Sequence, residues 1–124
     1  MGTDKIKGRV IMSGDVEGEA LVSREPISLS YVDENGVIVD RTHHLSGQII
    51  KDKILVFPAL KGSAYQELNA ADLARNGLAP KGMIALDSDT RLLTSALFAE
   101  IPTIDRLETD PLEAINTGDT VHLN

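Results

Sequence analysis

The distribution of apolar and polar positions splits the chain into two halves with different periods. The first half is a series of short β-leaning runs. Ile6-Lys7-Gly8-Arg9-Val10-Ile11-Met12 and Glu17-Gly18-Glu19-Ala20-Leu21-Val22 are separated by the turn Ser13-Gly14-Asp15. Ser28 to Tyr31 is compatible with another strand. Asp33-Glu34-Asn35-Gly36 predicts a tight turn, because Asn-Gly suits positive φ. Val37-Ile38-Val39, Gln48-Ile49-Ile50 and Ile54-Leu55-Val56-Phe57 complete the β-rich part.

The period changes after Pro58. From Ala64 to Arg75, Leu68, Ala71, Leu73 and Ala74 suit a helix packed on a sheet, with Asn76-Gly77 as its stop. Met83-Ile84-Ala85-Leu86 predicts a buried strand. Asp87-Ser88-Asp89 offers caps for a second helix through Leu92, Leu93, Ala96, Leu97 and Ala99, ended by Pro102. Thr103-Ile104 and Asp119-Thr120-Val121-His122-Leu123 read as strands. Strand–helix–strand–helix–strand order implies a parallel layer with right-handed crossovers. The expected fold is therefore α/β, a β-rich layer joined to a parallel α/β layer, in one domain over residues 1–124.

Composition narrows the partners. Aromatic residues make up only 3% of the chain, so the core must be built from Ile, Leu, Val and Ala. A net charge of −7 argues against nucleic acid or an anionic membrane as the main partner. The sequence has no cysteine, which excludes disulfides, cysteine nucleophiles and thiolate ligation of zinc or iron–sulfur clusters by this chain. No apolar run approaches the roughly 20 residues of a membrane helix. Met1-Gly2-Thr3-Asp4-Lys5 lacks the apolar region of a signal peptide. A cytoplasmic domain is expected.

Candidate chemistry gathers after Val56-Phe57-Pro58, where a strand gives way to Ala59-Leu60-Lys61-Gly62-Ser63 and then a helix. Ser63-Ala64-Tyr65-Gln66 has the form of a capping box. The residues alone favour an ordinary N-cap here, while a site among unpaired helix-start N–H groups can also bind an anion or stabilise a serine that has given up its proton. Gly62 lets backbone approach a ligand closely, and Lys61 can pair with a phosphate or carboxylate. Arg41 is either an anion-binding group or a salt-bridging surface residue.

The pair His43-His44 would point to opposite faces of a strand, a poor arrangement for chelating one metal, so a polar loop is expected and no metal site. Asp87 and Asp89 flank a helix start, where capping accounts for them. No Walker loop, dinucleotide fingerprint or self-contained hydrolase signature is present.

Several of these runs carry a resemblance. Gly8-Arg9-Val10-Ile11 and Gly18-Glu19-Ala20-Leu21-Val22-Ser23-Arg24-Glu25-Pro26-Ile27-Ser28 resemble the start of the small subunit of the aconitase X family. The likeness continues through Gly36-Val37-Ile38-Val39-Asp40-Arg41, His43, Gly47, Lys53-Ile54-Leu55-Val56-Phe57-Pro58 and Lys61-Gly62-Ser63. It resumes at Ala79-Pro80 and ends near Ile101-Pro102 and Asp105.

The resemblance implies a swivelling β/β/α domain, the counterpart of the mobile domain of aconitase. It implies a heterodimer with a large subunit that holds an iron–sulfur cluster, none being bound by this chain. Archaeal members dehydrate (R)-5-phosphomevalonate to trans-anhydromevalonate 5-phosphate in isoprenoid synthesis, and related ones act on cis-3-hydroxy-L-proline. On this basis Ser63 would be the catalytic proton acceptor, and Lys61, Gly62 and Arg41 would bind a small phosphorylated hydroxy acid. The loop departs from the family where Ala64-Tyr65-Gln66-Glu67 replaces a glycine- and serine-rich run and Leu60 replaces a glycine. A subunit for another hydroxy acid, or a non-catalytic binding paralogue, is the alternative reading.

Overall fold

The computed structural model describes residues 6–62 and 66–124. Ser63, Ala64 and Tyr65, and with them the expected capping box, lie outside the described residues. Six strands, β1 (Arg9–Met12), β2 (Val16–Val22), β3 (Ile54–Phe57), β4 (Gly82–Ala85), β5 (Thr103–Asp105) and β6 (Thr120–Leu123), form one sheet in the order β1-β5-β4-β3-β2-β6. The four inner strands run parallel, and β1 and β6 close the two edges antiparallel. Helices α1 (Gln66–Arg75) and α2 (Thr90–Ala99) are the crossovers from β3 to β4 and from β4 to β5.

Parallel strands covered on both faces become apolar at every position. All four residues of β3 and of β4 are buried accordingly. Side chains alternate between two cores. Leu21, Leu55, Phe57, Met83 and Ala85 join Ala70 and Leu73 of α1 and Leu92 and Ala96 of α2. Ala20, Val22, Ile54, Val56 and Ile84 face the other way and meet Leu123 and Ile115. Ile115 follows a short helix, α3 (Pro111–Ala114), whose signal is plain in Asp110-Pro111, a capping aspartate before a proline at the first helical position.

The long connection from β2 to β3 is built differently from its expected strands. Ser28 does not extend a strand: its Oγ accepts the Ser30 N–H at 3.2 Å and caps a 3-10 turn over Leu29–Tyr31. The segments around Val37 and Ile49 pair only through single bridges, Val32 with Ile38 and Val37 with Ile49. Packing holds this segment in place, since Ile27, Leu29, Ile38, Leu45 and Ile50 all enter the core shared with α1 and α2.

Both main helices end as the residue pattern predicts. Gly77 takes φ +71°, and the Leu78 N–H reaches the Leu73 carbonyl at 2.8 Å while that of Gly77 reaches Ala74 at 3.1 Å. This is a Schellman stop. At the end of α2 the left-handed position is held by Glu100, at φ 54°, ahead of Pro102. Two expected core positions face solvent instead, Leu68 on α1 and Leu97 on α2, because each helix offers only one stripe to the sheet and to its neighbour.

Candidate functional site

An open groove of about 430 Å³ lies beside the carboxyl end of β3, lined by Tyr31, Val39, Asp40, Arg41, Thr42, Lys61 and Gly62. Crevices outside the carboxyl ends of parallel strands are where open α/β sheets bind ligands. Arg41, Lys61 and Gly62, far apart in sequence, are brought to this one groove. Ser63, the next residue along the chain, lies outside the described residues, so its place relative to them is not part of the geometry.

Two loops build the groove. On one side Asp40 organises a turn: its Oδ1 accepts the Thr42 N–H at 3.0 Å and the Thr42 hydroxyl at 2.6 Å. Its Oδ2 stands 3.2 Å from Lys61 Nζ. The Thr42 hydroxyl, the Thr42 N–H and Lys61 together lower the Asp40 carboxyl to about 2. Asp40 is therefore an anion at any ordinary pH. Arg41, next in the turn, is exposed and, among the described residues, enters no ion pair.

On the other side the chain leaves β3 through Pro58 and runs beside Ile27. The Ile27 N–H donates to the Ala59 carbonyl at 3.1 Å, and the Lys61 N–H donates to the Ile27 carbonyl at 3.0 Å. Gly62 sits at φ +91°, a conformation that favours glycine. Arg91, in the first turn of α2, reaches across to this loop. Its guanidinium donates to the Gly62 carbonyl at 3.2 Å and to the Leu60 carbonyl at 3.3 Å. Sequence reasoning passed over Arg91, since a charged residue in the first turn of a helix reads as surface.

A second cleft is lined by Leu29, Ser30, Val32, Asp33, Glu34, Asn69, Asp72, Leu73, Asn76 and Leu78. Its charged side chains are all acidic, so it repels an anionic ligand. The groove at Lys61 and Arg41 is the place for one.

The histidines depart from expectation. His43 and His44 lie in a turn, not on a strand, and their rings stack at 5.0 Å with 17° between planes. His43 is buried rather than in a polar loop. Its Nδ1 accepts the Leu45 N–H at 3.0 Å, so the proton sits on Nε2, 3.1 Å from Ser23 Oγ. Ser23 Oγ in turn donates to the Glu25 carbonyl at 2.5 Å. His44 Nε2 accepts the Arg24 N–H at 2.9 Å. Donor atoms of Glu25, His43 and His44 lie within 4.8 Å of one another, yet a metal there would have to displace these bonds. The cluster ties the turn after Arg41 to the end of β2.

Asp89 caps α2, accepting the Leu92 N–H at 3.1 Å. Burial pushes its carboxyl up, but the Leu92 N–H and Arg91 outweigh it and hold it below the usual carboxylate range. Asp87 has another role from the expected cap. It pairs with Arg106 Nε at 3.0 Å and lies 3.7 Å from Arg9.

Comparison with known proteins agrees with this fold. The family model of the aconitase X swivel domain matches residues 5–124. A protein of Methanosarcina acetivorans named phosphomevalonate dehydratase small subunit is 43% identical over 122 residues, covering 97% of this chain and 85% of its own length. Its namesake in Methanococcoides burtonii is 40% identical over 126 residues, covering 100% of this chain and 92% of its own. The crystal structure of Thermococcus kodakaraensis aconitase X in its holo-form superposes with a TM-score of 0.90 at 37% identity, covering 97% of this chain and 91% of that one. A UPF0107 protein solved by solution NMR superposes with a TM-score of 0.86 at 35% identity, covering 97% of this chain and 92% of that one. Fold and kinship therefore converge, and the chain belongs to the aconitase X swivel-domain family.

Proposed function

We propose that the chain is the small, swivelling subunit of a phosphomevalonate dehydratase. The enzyme is a hydro-lyase that removes water from (R)-5-phosphomevalonate to give trans-anhydromevalonate 5-phosphate in the mevalonate pathway, in the cytoplasm. The observation that carries this reading is the groove that brings Arg41, Lys61 and Gly62 together, Gly62 being the residue before Ser63 in sequence, in a chain 40% or more identical to relatives of that name.

The groove residues divide the work. Lys61 and Arg41 offer two cations to a phosphate or carboxylate, and Gly62 leaves room for the substrate beside the backbone. Ser63 is the proton acceptor, removing a proton from carbon. Serine is far too weak a base unless its alkoxide is stabilised, so nearby cations, strengthened when the interface closes and excludes water, must stabilise the alkoxide enough for the hydroxyl to give up its proton. That closure calls for a large partner subunit packed over the groove. No thiolate is available in this sequence, so the iron–sulfur cluster that the family likeness implies would be held by that partner and would supply a Lewis acid for the departing hydroxide.

The test is anaerobic co-purification with the large subunit from the same source, followed by NMR of 5-phosphomevalonate. New alkene signals from the native pair, lost in Ser63→Ala without loss of assembly, are the expected result. Full turnover by Ser63→Ala would remove Ser63 from the mechanism. A stable pair that makes no alkene would instead favour another hydroxy acid, such as cis-3-hydroxy-L-proline, or a non-catalytic paralogue.

A further inference from the structure

The loop that leads into Ser63 is gripped from several directions, and one grip comes from a residue outside the groove. Ile27 holds Ala59 and Lys61 through two backbone hydrogen bonds, and Asp40 holds the Lys61 side chain. Arg91 holds the carbonyls on either side of Lys61, those of Leu60 and Gly62. Arg91 is itself fixed. Its Nε and a terminal nitrogen both donate to Asp89 Oδ2, at 3.1 and 2.9 Å. Asp89 uses its other oxygen to cap α2. One carboxylate thus anchors both the helix start and the guanidinium.

The Gly62 carbonyl belongs to the peptide group that joins Gly62 to Ser63. A peptide group is planar and rigid, so a donor held against its oxygen sets the plane in which the chain enters the serine. Gly62 is conformationally permissive, and without such a donor nothing intrinsic to glycine would keep that plane in one orientation. Only a guanidinium, with donors in a fixed fork, can serve two carbonyls and a carboxylate together; the single ammonium of a lysine cannot reproduce the spacing.

We propose that Arg91 is a positioning residue for the serine loop: it clamps the Leu60 and Gly62 carbonyls to the Asp89-capped start of α2 and so sets the approach of Ser63 to the substrate. This rests on the reading of Ser63 as proton acceptor. Misplacing a catalytic group by a fraction of an ångström is costly to the chemical step while leaving substrate binding by Lys61 and Arg41 intact.

Two measurements decide it. In the reconstituted pair, Arg91→Ala is expected to lower kcat by roughly 10- to 100-fold with KM changed by less than about threefold. Arg91→Lys should recover only a small part of this, and added guanidinium ion should partly restore Arg91→Ala. In the full-length small subunit alone, 15N relaxation of the Ser63 amide, the N–H of the peptide group whose oxygen Arg91 holds, should report new mobility in Arg91→Ala, while amides of β3 stay as in the native chain. A Ser63 amide as ordered in Arg91→Ala as in the native protein, or a kcat that survives the substitution in an active pair, would overturn the proposal. Should the native pair dehydrate neither 5-phosphomevalonate nor cis-3-hydroxy-L-proline, the reading of Ser63 as proton acceptor fails and takes the proposed approach to substrate with it; the relaxation data then still decide whether Arg91 clamps the loop.

Discussion

Lys61 Nζ stands 3.2 Å from Asp40 Oδ2, and this contact joins the loop after β3 to the turn that carries Arg41. Neither loop has regular structure at that point. The ion pair spans the two walls of the groove and sets how far apart its cations stand. Thr42 keeps Asp40 from turning away, since both its N–H and its hydroxyl occupy the other carboxylate oxygen.

Asp40 has a folded value of about 2, below its ordinary 3.8. A carboxyl lowered in the folded state adds stability that is complete above the unfolded value and is lost as pH falls through the folded one. Asp40→Asn should therefore be less stable than the native chain at pH 6, with the gap closing between pH 4 and pH 2. Urea unfolding at a series of pH values measures it. A gap that stays constant with pH would show that the charge on Asp40 is not what joins the loops.

Arg9 and Asp105 tie the antiparallel edge strand to β5. The guanidinium donates to both carboxylate oxygens, at 2.9 and 2.8 Å, and the Asp105 side chain is fully buried. Burial raises the Asp105 carboxyl, but Arg9, Ser88 and Arg106 together outweigh it and the net shift is downward. Arg9→Met would strand a buried carboxylate. Its thermal midpoint should fall by about 5–10 °C, discounted for the partly exposed arginine. Adding Asp105→Leu should recover part of the loss, because no charge is then left unpaired. A double variant less stable than Arg9→Met would contradict this.

Ile50 is fully buried although it belongs to no strand. If packing rather than hydrogen bonding holds the connection between β2 and β3, Ile50→Ala should cost about 2–4 kcal/mol in unfolding free energy. A loss under about 1 kcal/mol, the size of a surface substitution, would mean that the segment is held by its bridges instead.

The His43 ring is oriented by a donor that cannot change its role. Because the Leu45 N–H points at Nδ1, neutral His43 must carry its proton on Nε2. Long-range 15N–1H correlation should show that tautomer, with the proton shared toward Ser23. Ser23→Ala would leave the buried Nε2–H without its acceptor, at a cost of about 1–3 kcal/mol. Observation of the Nδ1–H form would refute the network.

Much of the α/β layer was legible because its signals are local. Val56-Phe57 before Pro58, the Gly77 stop, the Asp89 cap and the buried run at Met83 are each written within a few residues. Asp110-Pro111 marks the start of α3 in the same way. The stretch from Ser28 to Ile50 was misleading for a physical reason: β-branched and apolar residues there satisfy the core without forming a ladder, and a serine cap competes with strand pairing. His43 illustrates the same limit, since its burial depends on Ser23 and Leu45 and not on its neighbours in sequence.

The amino-acid order alone determined the alternation of strand and helix, the caps, the lack of thiolate ligands and the run Lys61-Gly62-Ser63 with its family likeness. Those properties depend on backbone preference, on side-chain chemistry and on residues within one turn of each other. Tertiary structure decided that Arg41 and Lys61 share a groove, that Asp40 bridges its walls, and that Arg91 reaches the Leu60 and Gly62 carbonyls from another helix. Such contacts join residues far apart in the chain, so they exist only once the sheet has set the distance between its loops.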